Sequence, residues 1–387
     1  MQRTSVGKSA INTPNPAQDS CKQVRCTFWL SSYHFDQVIE AKKGSITMDD
    51  TGKSLSERGI KGLFLVWGSP KGAHRSQFMA EEFQIPIEHI YLTPKQGKYY
   101  ALLKYPFQAL KTLVVLARRR PQVVFVQNPP IFAPLMVYLW GLIMGTKYIV
   151  DSHTDALLAS WWEWSLSLHR FLSHKAITTL VTNDHLQRMV ADWGASAFTL
   201  TDVPTIFPER KQFHLNGSSF NVLYVSTASY DEPISEVLQA AHGLPEVGFY
   251  ITGDYQTNMP HVVQDAPTNV HFTGYVPDDE FYGLFEAVQV VMCLTTENHT
   301  MQSGASEALW LGKPIITSNW PMLRGYFNQG TFHVNNTADE IFRAVVTVRD
   351  NLPAFEEGIQ DLRTEKQVEW DQKVQAIIRQ IEQALSQ

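Results

Sequence analysis

Four residues at the start of a predicted helix have types and spacing that suit a phosphorylated ligand: Gln302, Ser303, Gly304 and Glu307. The helix is predicted to begin at about Gly304, and Glu307 lies one turn into it. Backbone N–H groups at a helix start bind anions, so the first three residues are predicted to stabilise a diphosphate. The Glu307 carboxylate can accept hydrogen bonds from both hydroxyls of a ribose. An ordinary strand–helix turn without a ligand is the alternative interpretation.

Asp151 and His153 form a second group of candidate residues, at the end of a predicted strand over 147–151. A carboxylate and an imidazole are groups that proteins use to remove a proton from a hydroxyl. Either residue is therefore a candidate general base. A structural role, as a helix cap or as a core histidine, explains each of them equally well.

Further candidates follow other predicted strands, as small or polar residues in turns. Gly68 and Ser69 follow the first strand, Asn128 follows the second long apolar run, and Gly253 follows a strand in the later part of the chain. Ligands of parallel sheets bind at the carboxyl ends of the strands, where glycine lets them approach the backbone. Gly68, Ser69 and Asn128 are predicted to contact an acceptor or a phosphate, and Gly253 is predicted to contact the donor. Turn chemistry alone accounts for Gly68 and Ser69 equally well.

Apolar runs of strand length alternate with helical segments along most of the chain. This alternation predicts an α/β fold with two doubly wound Rossmann-like domains that face a cleft. The predicted domains are 59–205 and 206–360. Residues 1–58 are polar and show no sustained periodicity, which predicts a disordered extension. The alternative is that an upstream start codon produces this segment and that Met48 is the true start.

Composition excludes several classes of protein. The chain has 387 residues, a net charge of −6 and three cysteines. A general nucleic-acid-binding protein would carry a basic surplus, so no nucleic-acid partner is predicted. Three cysteines make no disulfide framework, and no Asp-x-Asp metal signature stands between the strands, so neither a metal nor another cofactor is predicted. The absence of a signal-peptide pattern predicts a cytoplasmic protein.

The predicted helix 99–120 combines aromatic residues with Lys104, Lys111 and a final Arg118-Arg119-Arg120. A basic aromatic helix can lie on an anionic membrane surface. A core helix whose last turn carries cations is the equally favoured alternative. The apolar run 131–145 is shorter than the ~20 residues needed to cross a bilayer. The first of the two interpretations predicts a cytoplasmic protein that attaches peripherally to the inner face of the membrane.

The stretch 293–324 resembles the donor-binding element of the GT-B glycosyltransferases, in particular those of family 4. The match consists of Glu307 followed by Gly312-Lys313-Pro314 at the distance found in the family. The resemblance implies that Glu307 binds the donor nucleotide. Family 4 enzymes have another glutamate before this one, in contact with the donor hexose, and His299 stands at that position here.

A second resemblance rests on four segments in one order: 126–130, 149–153, 192–194 and 201–204. This order is similar to that of the chitobiosyldiphosphodolichol β-mannosyltransferases, which are inverting GDP-mannose enzymes of the GT-B class. Retaining family 4 enzymes place an Arg and a Lys near the turn after the first strand of the second domain. Residues 226–239 contain neither cation, which favours an inverting enzyme.

The resemblance implies a glycosyltransferase that moves a hexose from a GDP- or UDP-linked sugar to a glycan or lipid-linked acceptor, in polysaccharide or glycoconjugate synthesis. The first domain would bind the acceptor and the second the nucleotide sugar. Tyr275 and Val276 would meet the nucleotide base, and the final helix, 361–387, would return to the first domain. Two alternatives remain: a nucleotide-sugar 2-epimerase, and a non-catalytic GT-B subunit that anchors a partner on the membrane.

Overall fold

The computed structural model describes residues 54–70, 74–92, 98–201, 203–204, 210–298 and 300–387, without the side chains of 74 and 98–103. Most of the predicted N-terminal extension, 1–58, lies outside these ranges. Its last five residues, 54–58, belong to the fold, because Leu55 is fully buried in the core of the first domain.

Two parallel six-stranded sheets organise the described part of the chain. The first has the strand order β2-β1-β3-β4-β5-β6, and the second has the order β12-β11-β10-β7-β8-β9. The predicted fold class, two doubly wound Rossmann-like domains, is confirmed. The strands are β1 Gly62–Val66, β2 Ile87–His89, β3 Val123–Asn128, β4 Lys147–Ser152, β5 Thr179–Val181, β6 Ala197–Thr199, β7 Phe220–Tyr224, β8 Val247–Thr252, β9 Val270–Gly274, β10 Val290–Cys293, β11 Ile315–Ser318 and β12 Thr331–Val334.

Helices connect the strands and cover both faces of each sheet, and a 3-10 helix, Ser160–Ser165, follows β4. Within the described ranges, none of the helices is both long and apolar enough to cross a membrane. The α-helices are α1 His74–Glu82, α2 Lys98–Arg119, α3 Phe132–Met144, α4 Thr154–Leu158, α5 Leu166–Lys175, α6 Asp184–Asp192, α7 Ile234–His242, α8 Tyr255–Asn258, α9 Pro260–Gln264, α10 Asp278–Ala287, α11 Ser303–Trp310, α12 Pro321–Tyr326, α13 Ala338–Asp350 and α14 Leu352–Leu385.

The central strands of both sheets are buried on both faces, as is usual for parallel sheets. In the first domain, β1 and β3 are mostly apolar, and all but one residue of each strand is buried. The helices α2 and α3 cover one face of this sheet, and α1 covers the other. The polar residues that follow the strands are thereby brought to one edge of the sheet.

The long C-terminal helix α14 belongs to the cores of both domains. Ile359 and Leu362, near its start, are fully buried in the core of the second domain. Trp370 and Ile378, further along, are buried in the core of the first domain beside α1. The helix therefore runs from the core of the second domain to the core of the first. The part that reaches the first domain lies within 361–387.

Candidate active site

The helix α11 starts directly against the carboxyl ends of β7 and β10, because Gly304 has no side chain. A Cβ atom at Gly304 would lie 2.6 Å from Val225 Cγ1 and 3.0 Å from Cys293 Sγ. Ordinary contacts between carbon atoms are about 3.5–4.0 Å. The close approach of the helix start to the strand ends therefore requires glycine at residue 304.

The start of α11 brings the three predicted diphosphate-binding residues together. Gln302 precedes the helix in an extended conformation, and its side chain makes no capping hydrogen bond. The Gln302 carbonyl accepts hydrogen bonds from Ala305 N at 3.1 Å and Ser306 N at 3.3 Å. The N–H groups of Ser303 and Gly304 come first in the helix, at the positive end of its dipole, where an anion is stabilised.

Glu307 is half-buried one turn into α11, and its carboxylate lies near two buried side chains. Burial, and after it the charge of Glu307, raises the pKa of the Cys293 thiol and of the Tyr282 phenol. Both neighbours therefore keep their protons at neutral pH. A carboxylate in this position has lone pairs that can accept hydrogen bonds from the hydroxyls of a ligand.

The turn after β7, residues 225–233, binds the carboxylate of one of its own residues, Glu232. The Glu232 carboxylate accepts hydrogen bonds from Thr227 N at 3.0 Å, Ser229 N at 2.9 Å and Ser226 Oγ at 2.6 Å. The amides of this turn are thus already satisfied by a carboxylate, and residues 226–239 contain no Lys or Arg. Among the described residues beside this turn, the start of α11 presents further backbone N–H groups, those of Ser303 and Gly304.

A polar network joins the carboxyl ends of β10, β11 and β12, and sequence reasoning missed it. Thr295 Oγ1 donates to Asp231 Oδ2 at 2.7 Å, and Thr295 N donates to Ser318 Oγ at 2.9 Å. Ser318 Oγ donates to Asn336 Oδ1 at 2.7 Å, and Asn336 Nδ2 donates to the Thr295 carbonyl at 2.9 Å. The network fixes the loop that leads from β10 to α11. Isolated Ser, Thr and Asn residues give no sequence signal for such a network, because its members are far apart in the chain.

Gly253 lies where β8 ends, in the left-handed region with φ +96°. A Cβ atom there would lie 2.9 Å from both the Ser226 carbonyl oxygen and the Ala228 nitrogen. Gly253 therefore allows the ends of β7 and β8 to approach each other closely. Tyr275 and Val276 follow β9 at the same edge of the sheet, where Tyr275 is 83% exposed and Val276 is half-buried. His299 lies outside the described residues.

Asp151 and His153 lie together at the carboxyl edge of the first sheet. Asp151 is fully buried at the end of β4, and His153 Nε2 lies 3.5 Å from its Oδ2. Arg75 Nε and Nη2 both lie 3.4 Å from Asp151 Oδ1, and Arg75 Nη2 also donates to the Leu200 carbonyl at 2.8 Å. Arg75 was not predicted from the sequence, because it is 76 residues from Asp151 in the chain.

The protonation of Asp151 follows from these contacts. Burial raises the pKa of its carboxyl, but the opposing effects of Arg75 and His153 outweigh burial and lower the pKa below its ordinary value. Asp151 is therefore a carboxylate at neutral pH and can hold the His153 ring in one orientation. The His153 side chain is 33% exposed, whereas that of Asp151 is fully buried. Of the two predicted base candidates, His153 is the one that a ligand can reach.

Asn128 is 1% exposed at the end of β3, in a buried polar cluster. Its Nδ2 lies 3.3 Å from His169 Nε2, and Ser152 Oγ lies 3.2 Å from the same nitrogen. Burial lowers the pKa of His169 to about 4, so this ring is neutral at physiological pH. Asn128 also accepts a hydrogen bond from His153 N through its carbonyl at 2.9 Å. These contacts give Asn128 a part in placing His153.

Gly68 and Ser69 are half-buried in the bend that follows β1. Among the described residues, a Cβ atom at Gly68 would meet only Val66 Cγ1, at 3.5 Å, which is an ordinary contact. The fold therefore does not require glycine at this position. Gly68 and Ser69 lie at the carboxyl edge of the first sheet, which is the location that the sequence predicted.

Two family descriptions match the chain, and together they cover both domains. "Glycosyl transferase 4-like domain" matches residues 46–204, and "Glycosyl transferases group 1" matches residues 206–352. The chain is therefore a glycosyltransferase, with a 4-like first domain and a group 1 second domain. The prediction of a glycosyltransferase is thereby confirmed, and the finer resemblance to the β-mannosyltransferases remains a prediction.

Solved structures show the same fold. HepE from Anabaena, in complex with UDP and glucose, superposes with a TM-score of 0.60 at 16% identity, covering 83% of this chain and 99% of HepE. Sucrose-phosphate synthase from Thermosynechococcus elongatus gives a TM-score of 0.60 at 12% identity, with 82% and 94% covered. The UDP-GlcNAc 2-epimerase from Methanocaldococcus jannaschii gives 0.50 at 13% identity, with 74% and 92% covered. No curated protein sequence matches the chain.

Proposed function

We propose that this glycosyltransferase transfers a hexosyl group from a UDP-linked sugar to a glycan or lipid-linked acceptor. The observation that supports it most is the start of α11, which lies against the strand ends through Gly304 and carries Glu307 one turn later. HepE, which shares the fold, binds UDP and glucose. UDP is therefore the donor nucleotide to test first, ahead of GDP.

On the donor side, we propose that Ser303 and Gly304 hold the diphosphate and that Glu307 holds the ribose. The turn after β7 contributes no cation, and Glu232 already occupies its amides. As the sugar leaves, negative charge grows on the diphosphate, and the fixed amides and dipole of α11 stabilise it. Tyr275 and Val276 are proposed to meet the nucleotide base, because they follow β9 at the same edge of the sheet.

On the acceptor side, we propose that His153 contacts the substrates and that Asp151 orients it. Asp151 is buried and paired with Arg75, so it cannot itself reach a hydroxyl. The partly exposed ring of His153 can, and a carboxylate beside an imidazole fixes its tautomer. This assignment transfers the role of base from Asp151, the first candidate, to His153.

The product anomer tests the proposal that the enzyme inverts. In an inverting reaction, a base on the acceptor side removes the hydroxyl proton while the diphosphate leaves from the opposite face. An equatorial linkage formed from an axial donor, read by NMR, supports His153 as this base. An axial linkage shows retention and leaves His153 as a binding residue only.

A donor screen tests the proposed function as a whole. Thermal shift with UDP-, GDP- and dTDP-sugars identifies the nucleotide, and release of free nucleotide is then followed by chromatography with the best donor. With water as the acceptor, wild-type protein should release nucleotide slowly by hydrolysis of the donor, and His153→Ala should lose most of this turnover at unchanged stability. Conversion of the donor to an isomeric nucleotide sugar without release of nucleotide would instead identify a 2-epimerase. Binding of no nucleotide sugar would contradict the proposal.

We propose a cytoplasmic location at the inner face of the membrane. Nucleotide sugars are charged solutes, whereas a lipid-linked acceptor is held at a membrane surface. An enzyme that uses both substrates has to work at the membrane surface that faces the cytoplasm. Fractionation of cells that express the full chain, with and without a high-salt wash, tests this location.

A further inference from the structure

One outer surface of the first domain is apolar although it faces solvent. The helices α2 and α3 pack side by side on the same face of the first sheet. Each helix exposes large apolar side chains at helical spacing, so that they share one face of the helix. These side chains define the α2–α3 surface: Phe107, Leu110 and Val114 on α2, with 45%, 64% and 44% exposure, and Leu139, Leu142 and Ile143 on α3, with 42%, 66% and 79%.

The Lys, Arg, Asp and Glu positions in and around these two helices are all basic. Residues 89–150, which include both helices, contain eight Lys and Arg residues and no Asp or Glu, although the whole chain has a net charge of −6. Lys111, Arg118 and Arg120 are exposed on or just after α2. Arg119 pairs with Glu88 at 2.6 Å, so Lys111, Arg118 and Arg120 are the described cations that give this surface its charge.

Exposed aromatic residues extend the apolar character toward the catalytic edge. Trp161 and Trp164, in the 3-10 helix after β4, are 68% and 62% exposed. The Trp164 ring lies 5.9 Å from the ring of Phe132, at the start of α3. Tryptophan rings favour the boundary between lipid and water. The 3-10 helix also begins a few residues after His153, so the aromatic residues lie on the chain next to the candidate active site.

We propose that the α2–α3 surface docks on an anionic lipid bilayer, with Trp161 and Trp164 in the headgroup region. The apolar side chains enter the interface, and the surrounding cations are attracted to the lipid charge. A second copy of this chain fits the surface poorly, because a two-fold interface would place two cationic surfaces against each other. The docking itself does not depend on the proposed function. The proposed function only explains why docking would be useful, since it brings the enzyme to a lipid-linked acceptor.

Vesicle sedimentation tests the proposal with the full-length protein. The probes are vesicles of phosphatidylcholine alone and of phosphatidylcholine with about one-third phosphatidylglycerol. Wild-type protein should sediment with the anionic vesicles and be released by salt, because surface attraction to lipid is screened. Lys111→Gln with Arg118→Gln should weaken the partition coefficient on the order of 30-fold, at roughly fivefold for each cation.

Apolar variants and matched controls separate the lipid contact from other effects. Leu142→Ser with Ile143→Ser should lower partition at least about tenfold, because both side chains lose most of their transfer free energy. The controls are Val368→Ser, a 46% exposed apolar residue on α14, and Arg188→Gln, an exposed cation on α6. Both should bind vesicles like the wild type, and circular dichroism should show that every variant is folded.

Three outcomes would overturn the proposal. They are no sedimentation of the wild type with anionic vesicles, equal sedimentation of the α2–α3 variants and the controls, and dimerisation in light scattering that the Leu142→Ser, Ile143→Ser variant abolishes. Nucleotide release in solution is measured on the same samples. Vesicle binding without any donor turnover would refute the proposed function and leave the docking surface intact. Donor turnover without vesicle binding would do the reverse.

Discussion

Replacement of Gly304 by alanine should disrupt the start of α11 and weaken binding of the donor. The added Cβ atom would lie 2.6 Å from Val225 Cγ1 and 2.8 Å from Val225 Cβ, against ordinary carbon contacts of about 3.5–4.0 Å. Val225 is β-branched and cannot turn both carbons away. The helix start must therefore move outward by about 1 Å, the difference between these distances.

A displacement of this size is enough to break a hydrogen bond, since a bond of about 2.9 Å is lost when it lengthens by 1 Å. Each hydrogen bond to a charged group contributes about 1.5–3 kcal/mol. The affinity for UDP should therefore fall about tenfold to 150-fold for each bond that is lost. Overpacking should also lower the free energy of unfolding by about 1–3 kcal/mol.

Calorimetry with UDP and urea denaturation measure the two effects. Gly325→Ala is the matched control, because a Cβ atom at Gly325, in α12, would meet no atom of the described residues within 4 Å. This control should bind UDP normally and be as stable as the wild type or more stable, since alanine favours the helix. Unchanged UDP affinity in a folded Gly304→Ala variant would refute the argument that the start of α11 holds the diphosphate.

Three further predictions concern single residues. Asp151→Asn should lower kcat about 10²- to 10⁴-fold, the usual value of general-base catalysis, because His153 loses the carboxylate that orients it, and donor KM should change little. Asp155→Asn, an exposed neighbour on α4, should have no effect in the same steady-state assay. Glu307→Ala should lose about 1.5–3 kcal/mol of UDP affinity in calorimetry, and equal affinity for this variant and Glu297→Ala would contradict the ribose contact. The pKa of His169 is about 4 in the folded protein, against an ordinary value of 6.5, so the unfolded chain takes up a proton first as pH falls. The free energy of unfolding should therefore drop by about 3 kcal/mol between pH 7 and 4. Urea denaturation of His169→Gln should show a smaller drop.

Much of the fold could be predicted from the sequence because the signals are local. Apolar strands such as Val123–Asn128 are buried on both faces, and residues that follow such strands share one edge in any parallel sheet. The edge positions of Glu307, Asp151 and Gly253 follow from this rule without any tertiary information. Gly304 also sits at the helix start where the sequence placed it, within one residue of Ser303.

The tertiary structure alone decided which of these residues a ligand can reach. Asp151 and His153 look equally available in the sequence, but Arg75, from a distant helix, pairs with Asp151 and leaves only His153 exposed. Glu232 appears in the sequence as a surface acid, and only the folded turn shows it bound to the amides of Thr227 and Ser229. Such contacts join residues that the fold brings together through packing, and neither periodicity nor composition records which pairs will meet.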